Sequence, residues 1–214
     1  MSGLFITFEG PDGAGKTTQI NRVCEWFDQQ GVAYVRTREP GGTALSDKVR
    51  ELLLNPDHSE MADESEVLLY AASRAQLVKE VIRPALDNGQ IVLCDRYVDA
   101  SLAYQGYGLG LPIEQIASIN RFATKGILPH RTYLLDIPVE IGLNRIRHKR
   151  GTHPDRIEQK NLDYHMVVRN GFLTLAEQEP SRFCRIDARQ GEHAIFSLIQ
   201  SDLKRTFSLG GNES

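Results

Sequence analysis

Short apolar runs alternate along the chain with longer segments that are apolar on one side only. In the longer segments apolar residues recur at spacings of three and four, which predicts helices, as at Ile20, Val23, Cys24 and Phe27. The short runs predict five strands, at about residues 3–9, 32–37, 90–94, 131–136 and 182–186. Strands that alternate with helices build a parallel sheet with helices on both faces. The pattern therefore predicts an α/β fold with a five-stranded parallel sheet.

The ends of several predicted helices carry recognisable signals. Gly31 ends the first helix, and Thr43 is placed to cap a second helix that runs to about Leu54. Gly106, Gly108 and Gly110 are predicted to end the helix that follows the third strand, and another helix starts at Pro138. The remaining helices are predicted at about 63–88, 112–125, 158–178 and 192–207. In the helix at 158–178 the predicted apolar positions are Leu162, Met166, Leu173 and Ala176.

Length and composition favour one ordinary globular domain. The chain has 214 residues, of which 41% are hydrophobic and 25% charged. We expect a single domain over residues 1–207 and a disordered polar tail over 208–214. The net charge of -3 gives no reason to expect nucleic acid or a membrane surface as a partner. Three widely spaced cysteines and the lack of a membrane-length apolar run indicate a cytoplasmic protein.

A glycine-rich stretch between the first strand and the first helix predicts a phosphate-binding loop. Its glycines allow successive backbone N–H groups to turn inward on a triphosphate at a helix N-terminus. Lys16 then reaches the outer phosphates, and the Thr17 hydroxyl can ligate Mg²⁺. The alternative, a strand-to-helix turn without a ligand, is disfavoured because both flanking elements are present. The loop and its adjoining residue, which we expect to bind ATP, consist of Gly10, Pro11, Asp12, Gly13, Ala14, Gly15, Lys16, Thr17 and Thr18.

Charged residues follow the second and third strands at the edge where ligands bind in open parallel sheets. Arg38 follows the second strand, and Asp95 with Arg96 follows the third. Asp95 is the expected partner of Mg²⁺, either directly or through water, and Arg96 can clamp a phosphate with two donors. The simpler alternative is that Asp95 caps the next turn.

Two further groups of residues have spacings that suit the recognition of a base. Tyr70 and Arg74 are four apart on one helix, so a ring could lie against a base while guanidinium donors meet its oxygens. On spacing alone, an ordinary surface pair is the simpler interpretation. Ser101, Tyr104 and Gln105 likewise share one helical face.

One dense basic cluster follows the fourth strand. It consists of Arg145, Arg147, Lys149, Arg150 and, a few residues later, Arg156. A solvated helix end is one interpretation. The cluster is interrupted by the loop residues Gly151, Thr152 and Pro154. This interruption favours a second interpretation, in which a short lid at about 147–157 carries the arginines.

Taken together, these motifs resemble the thymidylate kinases, a family of P-loop NTPase-fold kinases that phosphorylate dTMP to dTDP in dTTP synthesis. The resemblance runs from about Phe5 to Asp187, and it rests on the phosphate loop and five further motifs in the family's order. These are Arg38 to Thr43, Tyr70 with Arg74, Asp95 to Tyr97, Ala103 to Gly106 and Asp155 to Glu158.

The resemblance implies roles for individual residues. Arg38 and Arg96 would hold the dTMP phosphate, and Asp12 would approach the sugar and phosphates. Arg74 would bond to thymine while Tyr70 stacks on it, where the family usually has Phe. Ser101 and Gln105 would line the base, and Tyr104 would lie under the deoxyribose. Homodimerisation is implied in the same way. The residues expected to act in catalysis are Lys16, Arg96, Asp12, Arg150 and Arg147.

Position 13 decides which arginine is expected to reach the transferring phosphoryl group. One subgroup of the family carries a catalytic arginine there, whereas this chain has Gly13 and so resembles the subgroup that supplies arginines from the lid. Arg150, beside the flexible Gly151, is the expected catalytic residue, with Arg147 as the alternative. Residues 152–154 make the lid turn appear longer than is usual, which leaves its register open.

The main alternatives are a kinase for another nucleoside monophosphate or for a deoxynucleoside, and a GTP-binding switch protein. A switch protein needs a guanine-reading Asn-Lys-x-Asp motif and a strand-ending Asp-x-x-Gly, and neither follows a predicted strand. A nucleoside kinase needs a carboxylate base for a neutral hydroxyl, whereas the arginines here favour an anionic acceptor. A phosphate monoester is mostly dianionic at pH 7 and needs no such base.

Overall fold

The computed structural model describes residues 3–150 and 154–209, apart from the side chains of residues 149 and 150. Its centre is a five-stranded sheet in the order β2-β3-β1-β4-β5, in which every neighbouring pair is parallel. The strands are β1 (Leu4–Glu9), β2 (Tyr34–Arg38), β3 (Ile91–Asp95), β4 (Arg131–Asp136) and β5 (Phe183–Asp187). The predicted α/β fold with a five-stranded parallel sheet is confirmed, with strand ends shifted by one or two residues.

The helices connect the strands and cover the sheet. They are α1 (Lys16–Gln30), α2 (Ala44–Leu54), α3 (Asp63–Leu77), α4 (Arg83–Asp87), α5 (Val98–Ser101), α6 (Ile113–Thr124), α7 (Val139–Arg150), α8 (Leu162–Gln178) and α9 (Glu192–Phe207). Two π-helical segments, Val78–Ile82 and Leu102–Gly108, extend α3 into α4 and α5 towards α6. Within the described ranges, every helix is too short or too polar to cross a lipid bilayer.

The core lies on both faces of the sheet, because neighbouring strand residues point to opposite sides. Phe8 on one face packs in a cluster with residues of α1 and α9. Phe5 on the other face packs with the π-helical segment after α3, and Leu134 packs there with α8. Helices on both faces leave the carboxyl edge of the sheet as the open end of the fold.

Two helix predictions need correction. The buried positions of α8 include Tyr164, Val168, Phe172 and Leu175, whereas the predicted Leu162 and Met166 are exposed. The apolar stripe with the larger side chains is the one that packs on the sheet. The helix also begins at Leu162 and not near residue 158.

Gly106 does not end the helix that follows β3, because it lies inside the π-helical segment Leu102–Gly108, whereas Gly108 is the last residue of that segment. A Cβ on Gly106 would overlap the side chain of Ile113, and one on Gly108 would press on the Tyr164 ring at 2.8 Å. These glycines are therefore explained by close packing, and only Gly110 follows the segment with a positive φ.

Candidate active site

The phosphate loop joins β1 to α1 and is open to an anion. Gly15, directly before α1, is in the left-handed conformation with φ 93°, and no side chain of the described residues caps the first turn. Those first N–H groups have no intrahelical partner, so they remain available to phosphate oxygens. The Lys16 ammonium lies across the loop and donates to the carbonyl oxygens of Gly10 at 3.0 Å and Pro11 at 2.9 Å.

The loop also packs directly against α7. Gly13 has φ 75°, and a Cβ there would overlap the carbonyl group of Gly142. In turn, a Cβ on Gly142 would overlap the carbonyl oxygen of Asp12. Neither residue can carry a side chain at this crossing without a shift, so the backbones of α7 and the phosphate loop are in direct contact.

Thr17 and Asp95 meet at the end of the loop, as predicted for a metal site. The Thr17 hydroxyl donates to Asp95 Oδ2 at 2.6 Å. A hydroxyl and a carboxylate are hard oxygen ligands of the kind that Mg²⁺ prefers. The residues present therefore fit a magnesium ion that arrives with a nucleotide.

Arg96, Asp12 and Tyr104 form a bonded triangle beside the loop. Arg96 Nη2 donates to Asp12 Oδ1 at 2.6 Å and to the Tyr104 hydroxyl at 2.9 Å, and that hydroxyl donates to Asp12 Oδ2 at 2.8 Å. Burial by itself would raise the pKa of Asp12, but the charges of Arg96 and Lys16 outweigh it and hold that pKa well below its usual range. Asp12 is thus a carboxylate that orients Arg96.

Glu9 binds the main chain directly after Arg96. The sequence analysis did not predict this residue as part of the site. Arg96 has φ 70°, a left-handed conformation that is uncommon for a residue with a side chain. The next N–H group, of Tyr97, donates to Glu9 Oε1 at 2.7 Å. Burial, together with the negative charge of Asp99, raises the pKa of Glu9 to about 8. Burial and the charge of Arg96 also lower the pKa of Lys16 to about 8.

Arg74 is buried, which excludes the surface-pair interpretation. It is 1% exposed and forms an ion pair with Glu39 at 2.5 Å. Its other donors reach Ser101 Oγ at 3.1 Å, Asn120 Oδ1 at 2.6 Å and the Tyr97 carbonyl oxygen at 3.2 Å. Asn120 was also missed by the sequence analysis, because only the fold brings α6 against α3.

Glu66 joins Gln105 to Arg156, which corrects one part of the basic cluster. Gln105 Nε2 donates to Glu66 Oε1 at 2.8 Å, and Arg156 Nη2 donates to Glu66 Oε2 at 2.6 Å. Arg156 is 7% exposed and also donates from Nε to the Leu53 carbonyl oxygen. It is therefore a buried structural cation and not an arginine of a mobile lid surface.

The other cations of the cluster differ in their surroundings. Arg145 donates to the carbonyl oxygens of Gly13 at 3.4 Å and Ala188 at 3.3 Å, beside the phosphate loop. Arg147 is exposed. The side chain of Arg150 and residues 151–153 lie outside the described part of the chain. Sequence reasoning named Arg145 in the cluster but did not select it as a site residue.

Most of the predicted site residues line one cleft of about 1080 Å³ at the carboxyl edge of the sheet. Gly10 and Pro11 are not in its lining, since they form the rear of the loop and turn their carbonyl oxygens to Lys16. Arg147 is not in the lining either, whereas Arg145 is. The predicted residues in the lining are Asp12, Gly13, Ala14, Gly15, Lys16, Thr17, Thr18, Arg38, Tyr70, Arg74, Asp95, Arg96, Ser101, Tyr104 and Gln105.

Comparisons with known proteins agree with this geometry. The family model described as "Thymidylate kinase" matches residues 8–199. A thymidylate kinase of Exiguobacterium sibiricum is 51% identical, with 95% of both chains covered. One of Bacillus pumilus is 46% identical, with 96% of this chain and 99% of that protein covered. The crystal structure of thymidylate kinase from Ehrlichia chaffeensis superposes with a TM-score of 0.76 and 32% identity, covering 94% of this chain and 99% of the other.

Proposed function

The chain belongs to the thymidylate kinase family, and we propose that ATP binds on the phosphate-loop side of the cleft while dTMP binds beside Tyr104 and Arg74. It is a nucleoside monophosphate kinase that transfers a phosphoryl group from ATP to dTMP. The observation that carries the proposed division is the Arg96–Asp12–Tyr104 triangle, which holds a phosphate-binding arginine next to the loop that holds Lys16.

On the donor side, the open N-terminus of α1 and Lys16 neutralise the outer phosphates of ATP. Lys16 uses two of its three donors on the carbonyl oxygens of Gly10 and Pro11, which leaves one for a phosphate oxygen. Thr17 and Asp95 would hold Mg²⁺ with the nucleotide, and the ion would supply positive charge that neutralises the phosphates. Arg145, already beside Gly13, is placed to contact the donor as well.

On the acceptor side, Arg96 and Arg38 hold the dTMP phosphate. Arg96 is fixed by Asp12 and Tyr104, whereas the Arg38 side chain is 58% exposed and is held by one long hydrogen bond of 3.3 Å to Asp47 Oδ1, which a phosphate in the cleft can replace. The dianionic acceptor oxygen needs no general base. Catalysis by these residues therefore consists of positioning and charge neutralisation.

The base is proposed to lie between Tyr70 and the group formed by Arg74, Ser101 and Gln105. Every N–H of Arg74 already has a protein acceptor, so a thymine oxygen must replace one of them. Ser101 is the acceptor that thymine is expected to replace, because the Ser101 hydroxyl can rotate to another partner. Tyr70 lines the same cleft, where its ring can stack on the base.

We further propose a lid over residues 147–157 whose C-terminal end is anchored by the buried Arg156, a cytoplasmic location, and a homodimer. The exposed apolar residues of three neighbouring helices support the homodimer. Helices α2, α3 and α6 pack side by side, and they expose Leu52 (47%), Leu68 (58%) and Phe122 (88%). We propose that these residues belong to one interaction surface. Light scattering of Phe122→Glu should give a lower mass than that of the parent protein if this surface joins two copies.

A coupled assay of ADP formation over a panel of nucleosides and monophosphates tests the proposed function. We expect dTMP to give the highest kcat/KM. Equal or higher values for CMP, AMP or GMP would contradict thymine selection. A higher value for thymidine would contradict the proposed role of Arg38 and Arg96 in binding an acceptor phosphate.

A further inference from the structure

Three buried polar side chains connect the C-terminal part of the proposed lid to the base side of the cleft. Glu66 lies in the middle and is 1% exposed, with Gln105 at 2% and Arg156 at 7%. Each carboxylate oxygen of Glu66 serves a different neighbour: Oε1 accepts from Gln105 and Oε2 accepts from Arg156. The main-chain N–H of Arg156 also donates to the Leu54 carbonyl oxygen, which holds this arginine in place.

The chemistry of Glu66 decides which way the Gln105 amide points. A carboxylate in an ion pair only accepts hydrogen bonds, so Gln105 has to turn its NH₂ group towards Glu66. The Gln105 carbonyl oxygen Oε1 is then the atom left over. Oε1 accepts no hydrogen bond from the residues that the structure describes, and Gln105 lines the cleft. Gln105 therefore offers the cleft an acceptor.

We propose that Glu66 is a positioning residue for base selectivity, since it fixes Gln105 with its carbonyl oxygen towards the base and so favours thymine over cytosine. Thymine carries an N–H donor at N3, whereas the N3 of cytosine is an acceptor that would face another acceptor. The inference rests on the proposed binding of the base beside Gln105. Neither Glu66 nor Arg156 touches the base; both act through Gln105.

The substitution Glu66→Gln tests this proposal because it should rotate the Gln105 side-chain amide by half a turn. Arg156 can only donate, so the carbonyl oxygen of the new amide has to face Arg156. Its NH₂ group then faces Gln105, which must present Oε1 in return. The Gln105 NH₂ group is left facing the cleft, where it suits the N3 of cytosine and opposes the N3–H of thymine.

The measurement is kcat/KM for dTMP and for dCMP in the parent protein and in Glu66→Gln. We expect the ratio of dTMP to dCMP efficiency to fall by about 10-fold or more, because a site with mismatched buried polar groups discriminates strongly. A purely structural role would lower both efficiencies by the same factor. An unchanged ratio in a folded variant overturns the proposal.

The double variant Glu66→Gln with Gln105→Glu supplies a rescue. The amide at 66 can donate to the new carboxylate at 105, whose second oxygen again offers an acceptor to the base. The charges of the three-residue network are conserved. We expect the dTMP to dCMP ratio to recover most of its loss, and failure to recover any of it counts against the proposal. Glu64→Gln is the matched control, since Glu64 is exposed on the same helix, and its ratio should stay that of the parent.

A measurement on the parent protein covers the case in which Glu66→Gln does not fold. Side-chain amide protons of Gln105 are assigned in NMR spectra by their loss in Gln105→Met. With dTMP bound they should show nuclear Overhauser effects to the Glu66 methylene protons. Stronger effects to thymine protons would overturn the proposal. If the parent protein itself does not prefer dTMP, the proposed function fails, which the first assay detects separately.

Discussion

At the scale of single residues, Tyr104 has two separable parts, a hydroxyl and a ring. The hydroxyl bonds to Asp12 and Arg96, while the ring lies against the Tyr164 and Phe172 rings at centroid distances of 6.4 and 6.0 Å. A ring proposed to lie under the sugar leaves no room for a ribose 2′-hydroxyl. Selection of the sugar should therefore depend on the Tyr104 ring. The placement of Arg96 should depend on the Tyr104 hydroxyl.

The prediction is that Tyr104→Ala lowers the ratio of deoxy- to ribonucleotide efficiency, whereas Tyr104→Phe keeps it. Tyr104→Phe should instead raise KM for dTMP, because Arg96 loses one of its fixed partners. The check is kcat/KM for dTMP and its ribose counterpart in both variants. If Tyr104→Ala keeps the parental ratio of deoxy- to ribonucleotide efficiency, a residue other than Tyr104 selects the sugar.

Glu9 provides a second test at this scale, through pH. Its pKa of about 8 lies above the ordinary value of 4.5, so between those values the folded protein binds a proton that the unfolded chain has released. Stability contributed in this way is complete below about pH 4.5 and is lost as pH rises through about 8. Burial and the charge of Asp99 cause the shift, so an uncharged side chain should remove it.

We therefore expect Glu9→Gln to flatten the pH dependence of the melting temperature. Between pH 5 and pH 8, the melting temperature of the nucleotide-free parent protein should fall further than that of the variant. The amide oxygen at position 9 can still accept from the Tyr97 N–H, which keeps Arg96 in its conformation. Identical losses in the two proteins would show that Glu9 is ionised throughout that interval.

The residues that the sequence could not reveal share one property. The phosphate loop is a local pattern, so its spacing alone predicted Lys16 and Thr17. Glu9 and Glu66 instead meet partners 88 and 90 residues away in the chain, at Tyr97 and Arg156. A lone buried glutamate in a strand or a helix has no local signature, and only the fold tells which group it serves.

At the scale of elements, strands and caps were predicted more accurately than helix faces. Thr43 caps α2 as expected, since its hydroxyl accepts from the Ser46 N–H. The apolar face of α8 was assigned wrongly at Leu162 and Met166, although Leu173 and Ala176 do pack against the core, because two apolar stripes run along that helix. Only contact with the sheet and with Tyr104 decides between them, and it selects Val168 and Phe172.

The crossing of α7 over the phosphate loop gives a prediction for an element. A methyl group at position 142 would push α7 away from the Asp12 carbonyl oxygen, and the loop would shift with it. We expect Gly142→Ala to raise KM for ATP by about 10-fold or more, since small displacements of binding groups are costly. KM for dTMP should change less.

Gly191→Ala is the matched control for that variant, because a Cβ there meets no atom within 4 Å. Its KM for ATP should equal that of the parent protein. If Gly142→Ala binds ATP equally well, the loop does not depend on α7 for its position.

At the scale of the whole molecule, the strand order explains why distant motifs converge. In the order β2-β3-β1-β4-β5, the three strands that carry Arg38, Asp95 and the phosphate loop are neighbours. Asp95 of β3 pairs with Arg38 of β2 on one side and with Phe8 of β1 on the other. The alternation of strands and helices predicted a parallel sheet but not this order, which depends on how the helices pack.

The last prediction concerns which arginine reaches the transferring phosphoryl group. Arg145 already contacts the Gly13 carbonyl oxygen, so it is placed to bind ATP in the ground state. Arg147 is exposed and lines no part of the cleft, so it can act only after a movement of the proposed lid. Arg150 remains the expected catalytic arginine from its position beside Gly151. An arginine that is engaged only in the transition state affects kcat far more than either KM.

We expect Arg150→Ala to lower kcat by roughly 10²-fold or more at saturating ATP and dTMP, the order associated with such arginines. Arg145→Ala should mainly raise KM for ATP, and Arg147→Ala should lower kcat less than Arg150→Ala does. Steady-state kinetics of the three variants decide among them, with Lys79→Ala as an exposed control that keeps both constants. If Arg147→Ala and Arg150→Ala both retain the parental kcat, the catalytic charge does not come from the lid. A kcat loss confined to Arg145→Ala would then assign that role to Arg145, which lies beside the phosphate loop.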